Sequence, residues 1–480
     1  MLLKEIAPQY KGSINPEVST ITADSRRVVD GSLFAALPGL KMDGNDYIEA
    51  AIQKGAVAIL ASASANVPAH IAHIISDNPR HDLAFIAYKF YGAVPENIVA
   101  VTGTNGKSST VFFVQQLWES LGLKSASLGT VGIFGTGLSQ AGSLTTPDPI
   151  FLHKTLSDLK LAGYEHLAFE ASSIGIEQSR IDALPIKAAA FTNLTLDHLD
   201  YHHTMDAYLE AKMKLFTDRL LPDGVAVIYA DMPESESITA RIKQKVIRYG
   251  TKGDIFVKKR TPKPTGQDLI ISVIGREYEV HLPLVGAFQA MNALCALALV
   301  VGEDVTNTTR TESLIEGLAS LRGAPGRLQF IEGPNGAAIY VDYAHTPDAL
   351  ENAIQALRPH THNRLISVFG CGGDRDKTKR GLMGKISSDQ ADISIVTDDN
   401  PRTEDPLQIR SEILSTMNPS AIEIGDRREA ILRAVEMLQA GDVLLIAGKG
   451  HEQGQTIGNV VEPFDDVAEA VRAIELLVNR

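Results

Sequence analysis

Residues 99–110 read Val-Ala-Val-Thr-Gly-Thr-Asn-Gly-Lys-Ser-Ser-Thr, an apolar run that stops in a Gly-rich turn and is followed at once by the helix-like stretch VFFVQQLWESLGL. A buried strand that feeds a helix through so short a turn belongs to a βα unit, and such units pack as a parallel sheet with helices on its faces. The turn also carries chemistry. Gly103 and Gly106 let backbone N–H groups close on phosphate oxygens, Lys107 brings a point charge, Ser108 offers a hydroxyl to Mg²⁺, and the helix N-terminus adds a favourable dipole. The common spelling G-x-x-x-x-G-K-[ST] needs glycine where Val101 stands, so this is a variant of that loop. A nucleoside triphosphate is the expected ligand.

At roughly 150 residues per domain, 480 residues suggest about three domains. Hydrophobic residues at 44% and charged residues at 21% describe a soluble folded chain. With 58 acidic against 45 basic residues the net charge is −13, which argues against general binding to nucleic acid or anionic membrane. Anionic ligands must therefore meet local basic sites. Two cysteines, Cys295 and Cys371, cannot build a disulfide framework and fit no metal-ligand spacing, so both are expected as small buried residues in a reducing cytoplasm. The opening MLLKEIAPQY lacks the apolar core of a signal peptide, and no apolar run reaches the roughly 18 residues of a membrane span.

Three blocks follow along the chain. Residues 1–96 hold the strand-like runs SLFAAL, AVAIL and HIIS and the helical DLAFIAYKFYG, ending at a Val94-Pro95-Glu96-Asn97 break. Residues 97–322 alternate strand and helix through IVAVTG, HLAFEAS, AAAFTN, a helix over Tyr208 to Phe216, and VAVIYAD. The turn-rich Gly323-Ala324-Pro325-Gly326 opens a third block, 323–480, which alternates again through AAIYVDYA, ALENAIQAL, RLISVFG, DISIVT, REAILRAVEML and DVLLIAG. The fold class is α/β, and functional side chains are expected on loops at the carboxyl ends of the strands.

Glu170, Ser172 and Ser173 end one strand with oxygen ligands suited to Mg²⁺ beside a nucleotide. His198 and His202 stand four apart, as on a zinc-protease helix, but Leu199 occupies the place of the general-base glutamate, and zinc hydrolysis is set aside. In YLEAKMKLF periodicity alone makes Lys212 a solvated surface lysine. Gln289 and Asn292 open a helix after a Gly turn, suited either to reading an adenine edge or to capping. In the third block Asp342 and His345 end a strand. CGGDRDKTKR gathers cations after two glycines, as an anion-binding loop would. Asp398-Asp399-Asn400-Pro401-Arg402 and Gly448-Lys449-Gly450-His451-Glu452 end two further strands.

Together and in this order, TGTNGKS, FTNLxxDHLDYH, VDYAHTPDAL, GCGGDRDKTKR, DNPR and GKGHE resemble the Mur ligases, the ATP-dependent amide-forming enzymes of peptidoglycan precursor synthesis. The resemblance spans essentially the whole chain, from Asp24-Ser25-Arg26 onward, and is strongest for the branch that adds the third residue of the peptide. It implies an N-terminal UDP-binding α/β domain (1–96), a central P-loop-type ATPase with a mainly parallel sheet (97–322), and a C-terminal Rossmann-like α/β domain that brings the amino acid (323–480). By matching motif positions it implies that Gly103, Thr104, Asn105, Gly106, Lys107, Ser108, Ser109, Asn292, Arg327 and Asp342 serve ATP, and that Ser108, Glu170 and His198 hold Mg²⁺. Lys212 matches the lysine that the family carbamylates to an N6-carboxylysine, and Lys107, Glu170, His198 and Lys212 would form the catalytic set. Ser25 would contact uridine. Thr145, Thr146, Ser172, Gln178 and Arg180 would bind the muramoyl-dipeptide. Gln289, Gly381 and Gly454 depart from the residues usual in the family at those positions.

The amino acid added can be argued from chemistry. Meso-diaminopimelate carries a second carboxylate at its far end, which a guanidinium can bind bidentately, while acidic or amide side chains accept from its ammonium. L-lysine would leave Arg402 without an anionic partner, so the site selects by penalty as well as attraction. The resemblance likewise implies Arg375, Asp399, Asn400, Pro401, Arg402, Gly448 and Glu452 as diaminopimelate contacts. Asp77-Asn78-Pro79-Arg80 repeats the same tetrapeptide in the first block and is expected to be a strand-exit turn. The expected reaction joins meso-diaminopimelate to the D-glutamyl γ-carboxylate of UDP-MurNAc-L-Ala-D-Glu through an acyl phosphate, with ATP as substrate, Mg²⁺ as cofactor, and no nucleic-acid or membrane partner. A monomer is expected. The rival readings are the same reaction with L-lysine, a folylpolyglutamate-synthase-like ligase, and a nucleotide-hydrolysing switch.

Overall fold

The computed structural model describes residues 1–39, 42–142 and 144–478. The chain divides into two compact units, Met1–Lys107 with Trp118–Arg248 and Ala298–Asp304, and Ser108–Leu117 with Tyr249–Leu297 and Val305–Arg480.

In the first unit β1 (Thr20–Thr22), β2 (Ser32–Ala35), β3 (Ala56–Ala61) and β4 (Ala72–Ile75) form a parallel sheet in chain order. The chain then leaves through the first Asp-Asn-Pro-Arg copy. Asn78 Oδ1 accepts from His81 N at 3.3 Å and Pro79 takes the first helical position of Pro79–Tyr91, so this copy starts a helix as well as ending a strand exit.

The second sheet of this unit is built from β5 (Asn97–Thr102), β6 (Ser125–Gly129), β7 (Gly132–Gly135), β8 (Leu138–Ala141), β9 (His166–Glu170), β10 (Ile186–Phe191) and β11 (Leu220–Tyr229). Its order β11-β10-β5-β9-β6 is parallel, with β7 and β8 added antiparallel and β12 (Lys245–Gly250) beside β11. The chain enters at β5 and builds outward on both sides of it. Loops at the carboxyl ends therefore part beside β5 and leave a crevice there. Phe169, Phe191, Phe216, Leu152 and Leu156 pack in one core cluster of this unit.

The second unit holds a feature the sequence reading lacked, an antiparallel meander of β13 (Ile255–Lys263), β14 (Gly266–Val273) and β15 (Arg276–Leu282). Its second turn is Ile274-Gly275, both at positive φ. Such two-residue turns are usually announced by Asn-Gly or Asp-Gly, and a β-branched residue there hides the signal.

The C-terminal sheet takes β16 (Gln329–Glu332), β17 (Ala338–Asp342), β18 (Leu365–Phe369), β19 (Ile393–Val396), β20 (Ile422–Glu423) and β21 (Val443–Ala447) in the order β16-β17-β21-β18-β19-β20, parallel except for β16. One face packs Tyr340, Leu350, Ile354 and Leu445, and the other packs Ile339, Ile366, Ile431 and Ile446. Burial on both faces explains the unbroken apolar runs read in these strands. A hairpin of β22 (Gly454–Ile457) and β23 (Val460–Pro463) follows.

Between the last core helices, Arg427 donates from Nε and Nη2 to the two carboxylate oxygens of Asp466, each at 2.7 Å, and from Nη2 to Ala447 O at 3.0 Å, the end of β21. Both side chains are fully buried. Removing one partner leaves the other charge buried alone, which costs about 3–5 kcal/mol, whereas an apolar pair of similar volume can be neutral. Arg427→Met is therefore expected to lower unfolding free energy by that amount, and adding Asp466→Leu to recover most of it, as measured by urea denaturation.

Candidate functional site

The turn after β5 is braced by the segment that leaves β10. Gly103 has φ of 140°, and a Cβ on it would lie 1.9 Å from Thr192 Oγ1, so only glycine fits. Thr104 N donates to Asn193 O at 2.9 Å and Asn105 N to Asn193 Oδ1 at 2.8 Å. Asn105 O accepts from Thr192 Oγ1 at 2.6 Å and from Asn193 Nδ2 at 3.1 Å. Gly106, at φ of 85°, hands over to the helix Lys107–Ser120, whose first turn contains the buried Ser108 and Ser109. Lys107 Nζ donates to Gly103 O at 2.9 Å and to Thr104 O at 2.7 Å.

Lys212 is not the solvated lysine that periodicity suggests. It is buried on the helix Met205–Lys214, its Nζ donates to the same Gly103 O at 2.9 Å, and it lies 4.2 Å over the Tyr208 ring. Burial first, and then the Lys107 charge, push its ammonium pKa well below the usual lysine value. A helical period reports the face of its own helix and does not register a loop from another strand that covers that face. Tyr208, which sequence reasoning passed over, also shares a hydrogen bond with Thr104 at 3.2 Å.

Glu170 ends β9 with its carboxylate buried against Gly129, where a Cβ would come within 2.0 Å of Oε1. Oε1 accepts from Thr130 N at 2.7 Å and Oε2 from Thr130 Oγ1 at 3.4 Å. The neighbouring predicted residues form one network. Thr145 Oγ1 meets Thr130 Oγ1 at 2.9 Å, Thr146 Oγ1 donates to Glu170 O at 2.8 Å and meets Ser172 Oγ at 3.0 Å, and Ser172 Oγ accepts from Gly175 N. Arg180 donates to Thr146 O at 2.6 Å and to Gln178 Oε1 at 2.8 Å, while Gln178 Nε2 donates to Tyr201 OH at 3.3 Å. The five residues that the resemblance groups thus lie in one hydrogen-bonded network with Thr130 and Glu170. Ser25 stands outside this network, on the turn Ser25–Arg27, where its carbonyl accepts from Lys54 Nζ at 2.9 Å.

His198 is half-exposed at φ of 53°, with Nε2 3.6 Å from Asp197 Oδ2. His202 is buried, its Nε2 bonded to Ser173 Oγ at 2.9 Å and its Nδ1 3.2 Å from Glu177. Both nitrogens of His202 are thus engaged by protein, which removes the zinc-like pair. Among the described residues no group of three His, Cys, Asp or Glu side chains could hold a metal. A Mg²⁺ ion needs no such cage. It keeps waters and uses one or two protein oxygens with substrate phosphates, and the Ser108 hydroxyl and Glu170 carboxylate have that hard-oxygen chemistry.

In the second unit Asn292 Nδ2 donates to Gln289 Oε1 at 3.0 Å, and Gln289 Nε2 donates to Arg327 O at 3.3 Å. The Arg327 guanidinium lies 5.0 Å over the Tyr343 ring. Asp342, at the end of β17, accepts from Leu328 N and Ala344 N, both at 2.8 Å, and burial raises its carboxyl pKa. The basic loop after β18 is less available to anions than its letters suggest. Arg380 is buried and pairs with Glu404 at 3.0 Å and Glu412 at 2.7 Å, and Lys377 lies 3.2 Å from Glu404. Arg375 is exposed. Both cysteines are buried, which pushes the Cys371 thiol up to about 11 and that of Cys295 to about 12 and makes them inert.

The second Asp-Asn-Pro-Arg copy starts no helix. Arg402 has φ of 51°, its N donates to Thr456 O at 3.0 Å, and its Nη1 donates to Gly373 O at 2.7 Å. Asp399 is buried, and its Oδ2 has no hydrogen-bond partner. Gly448, at φ of 119°, passes so close that a Cβ would lie 2.6 Å from that oxygen. Asn400 differs from expectation as an acceptor for a substrate ammonium. Its Oδ1 already accepts from Lys449 Nζ at 3.0 Å and Thr456 N at 2.8 Å, and its Nδ2 donates to Glu452 Oε2 at 3.0 Å. Glu452 retains about a third of its side-chain exposure. Lys449, which the sequence analysis assigned no role, is fully buried.

Family models match the chain in three places, as Mur ligase family, catalytic domain over residues 17–88, Mur ligase middle domain over 101–300, and Mur ligase, glutamate ligase domain over 326–450. The chain is 48% identical over 478 residues to the UDP-N-acetylmuramoyl-L-alanyl-D-glutamate–2,6-diaminopimelate ligase of Caulobacter vibrioides, covering 96% of each chain. It is 49% identical to the ligase of the same name from Brucella melitensis, covering 98% of this chain and 97% of the relative. A solved structure bearing that ligase name aligns over 100% of this chain and 99% of its own, with a TM-score of 0.76 and 34% identity. The α/β architecture, the strand-end loops and these likenesses agree, and the chain belongs to the Mur ligase family.

Proposed function

We propose that the chain is an ATP-dependent ligase that joins meso-2,6-diaminopimelate to the D-glutamyl γ-carboxylate of UDP-MurNAc-L-Ala-D-Glu. The observation that carries the reading is the convergence of Lys107 and the buried Lys212 on Gly103 O, on a glycine loop opening a helix, with the buried carboxylate of Glu170 ending a strand of the same sheet. Such a loop suits a triphosphate and not a dinucleotide. The relatives at 48% and 49% identity are named for this substrate and amino acid. Residues 1–96, 97–322 and 323–480 are the proposed domains for UDP, ATP and amino acid, in a cytoplasmic monomer.

A carboxylate at neutral pH is a poor acyl donor, so the γ-carboxylate attacks the γ-phosphorus of ATP and ADP leaves. The diaminopimelate amine then attacks the acyl carbon and phosphate departs with the C–O bond. Lys107, released from its two loop carbonyls, offsets charge on the transferring phosphoryl group. Gly103, Thr104, Asn105, Gly106, Ser108 and Ser109 hold the phosphates, and Asn292, Arg327 and Asp342 hold the nucleoside side. Thr145, Thr146, Ser172, Gln178 and Arg180 orient the dipeptide, and Ser25 the uridine. When bound, Mg²⁺ would supply charge neutralisation at the phosphates, held by Ser108, Glu170 and His198. A lowered pKa enlarges the neutral fraction of Lys212, the form that adds CO₂ and loses a proton to become a carbamate, and the resulting anion would attract Lys107 where an ammonium repels it.

Arg402, with Arg375, Asp399, Pro401, Gly448 and Glu452, reads the far end of the amino acid. Mass analysis of the product after incubation with ATP, the UDP-linked dipeptide and each candidate amino acid tests the reaction, and a product carrying lysine as readily as diaminopimelate would overturn it. Arg402→Ala is expected to raise the diaminopimelate KM about 100-fold, the scale of a lost buried charge pair, with little change for ATP.

Lys212 also sets a pH dependence. Its folded pKa lies below the unfolded value of about 10.4, so between the two the unfolded chain binds more protons and the stability cost of the burial shrinks as pH rises. In CO₂-free buffer, Lys212→Met is expected to gain stability relative to the parent most at the low end of that window, with the difference narrowing towards pH 10 in urea titrations. Under ¹³C-bicarbonate, the parent should give a carbamate resonance that Lys212→Met lacks.

A further inference from the structure

Lys449 is fully buried, and its Nζ lies 3.0 Å from Asn400 Oδ1 and 3.4 Å from Glu452 Oε2. A lysine ammonium taken wholly out of water requires such partners, and the same contacts fix those partners. Asn400 reaches this cluster from the loop after β19 and Lys449 and Glu452 from the loop after β21, while Thr456 N on β22 fills the second lone pair of Asn400 Oδ1. Asn400 then has one orientation, with Nδ2 on Glu452 Oε2 at 3.0 Å. Both donors meet the same carboxylate oxygen, Oε2, and among the described residues no hydrogen bond engages Oε1.

We infer that Lys449, acting with Asn400, is a positioning residue that aims Glu452 at the ammonium of the incoming diamino acid, and that Asn400 serves this ammonium through Glu452 and not through its own amide oxygen. The inference rests on the amino-acid site proposed above. Without Lys449, Asn400 loses one of its two donors and Glu452 one of its two holds, and a carboxylate free to rotate into solvent gives up oriented recognition.

The test is steady-state kinetics on the full-length enzyme. Lys449→Met is expected to raise the diaminopimelate KM at least tenfold while kcat and the KM values for ATP and the UDP-linked dipeptide stay within twofold. Lys449→Gln, which keeps a donor for Asn400 but no charge, is expected to fall between parent and methionine variant, and its polar side chain tolerates the site should Lys449→Met not fold. In a Glu452→Gln background, Lys449→Met or Lys449→Gln is expected to add less than a further twofold to that KM. An unchanged or lowered diaminopimelate KM, a parallel rise for all three substrates, or full additivity with Glu452→Gln would overturn the inference. Arg402→Ala separates the two levels. If it too leaves the diaminopimelate KM untouched, the amino-acid site itself is misassigned, and if it raises that KM while Lys449→Met does not, the positioning role alone fails.

Discussion

One carbonyl oxygen, that of Gly103, accepts from two lysines, and much of the central architecture exists to make that meeting possible. Gly103 adopts a backbone conformation closed to other residues because Thr192 fills the space of a side chain. Thr192 and Asn193 in turn clasp Asn105, so the exit of β10 holds the exit of β5. Lys212 arrives from the helix Met205–Lys214, two elements after β10, and its burial beside a second cation disfavours its charged form. Sheet order, loop conformation and lysine chemistry are therefore one problem.

The carboxylates of the two proposed substrate sites are handled by a common device, burial of the acid against a glycine. Glu170 packs on Gly129 and Asp399 on Gly448, and in each case a Cβ would collide with a carboxylate oxygen. Behind Asp399 and Glu452 stand two fully buried cations, Arg427 tied to the end of β21 and Lys449 tied to Asn400. Neither cation need touch a ligand. On the proposed reading they would set the direction and field of the acids that do, and the basic letters of the CGGDRDKTKR loop are likewise partly structural, since Arg380 is held inside by Glu404 and Glu412.

Much of this was legible in the sequence. Strand-ending words located the crevice loops because a parallel sheet buried on both faces writes its strands as apolar runs, and Thr145, Thr146, Ser172, Gln178 and Arg180, grouped by the resemblance alone, share one hydrogen-bonded network with Thr130 and Glu170. What was hidden depended on contacts between distant segments. Periodicity placed Lys212 outside because it sees one helix at a time. Asn400 read as an acceptor because nothing local tells that Lys449 and Thr456 have filled its lone pairs. The two Asp-Asn-Pro-Arg copies make the same point, one capping a helix with Asn78 and the other forming a left-handed corner at Arg402. The meander turn at Ile274-Gly275 escaped notice because isoleucine is a poor advertisement for a positive φ.

That corner at Arg402 has a consequence for anyone evolving the enzyme. A left-handed conformation costs an L-residue about 1–2 kcal/mol, which glycine or asparagine largely avoids. If Arg402 reads the amino acid as proposed, a library sorted for thermal tolerance alone would drift toward those residues at 402 and gain robustness while blunting discrimination between diamino acids. On that reading the strained arginine is where durability and fidelity pull in opposite directions, and a screen that rewards only one would erode the other.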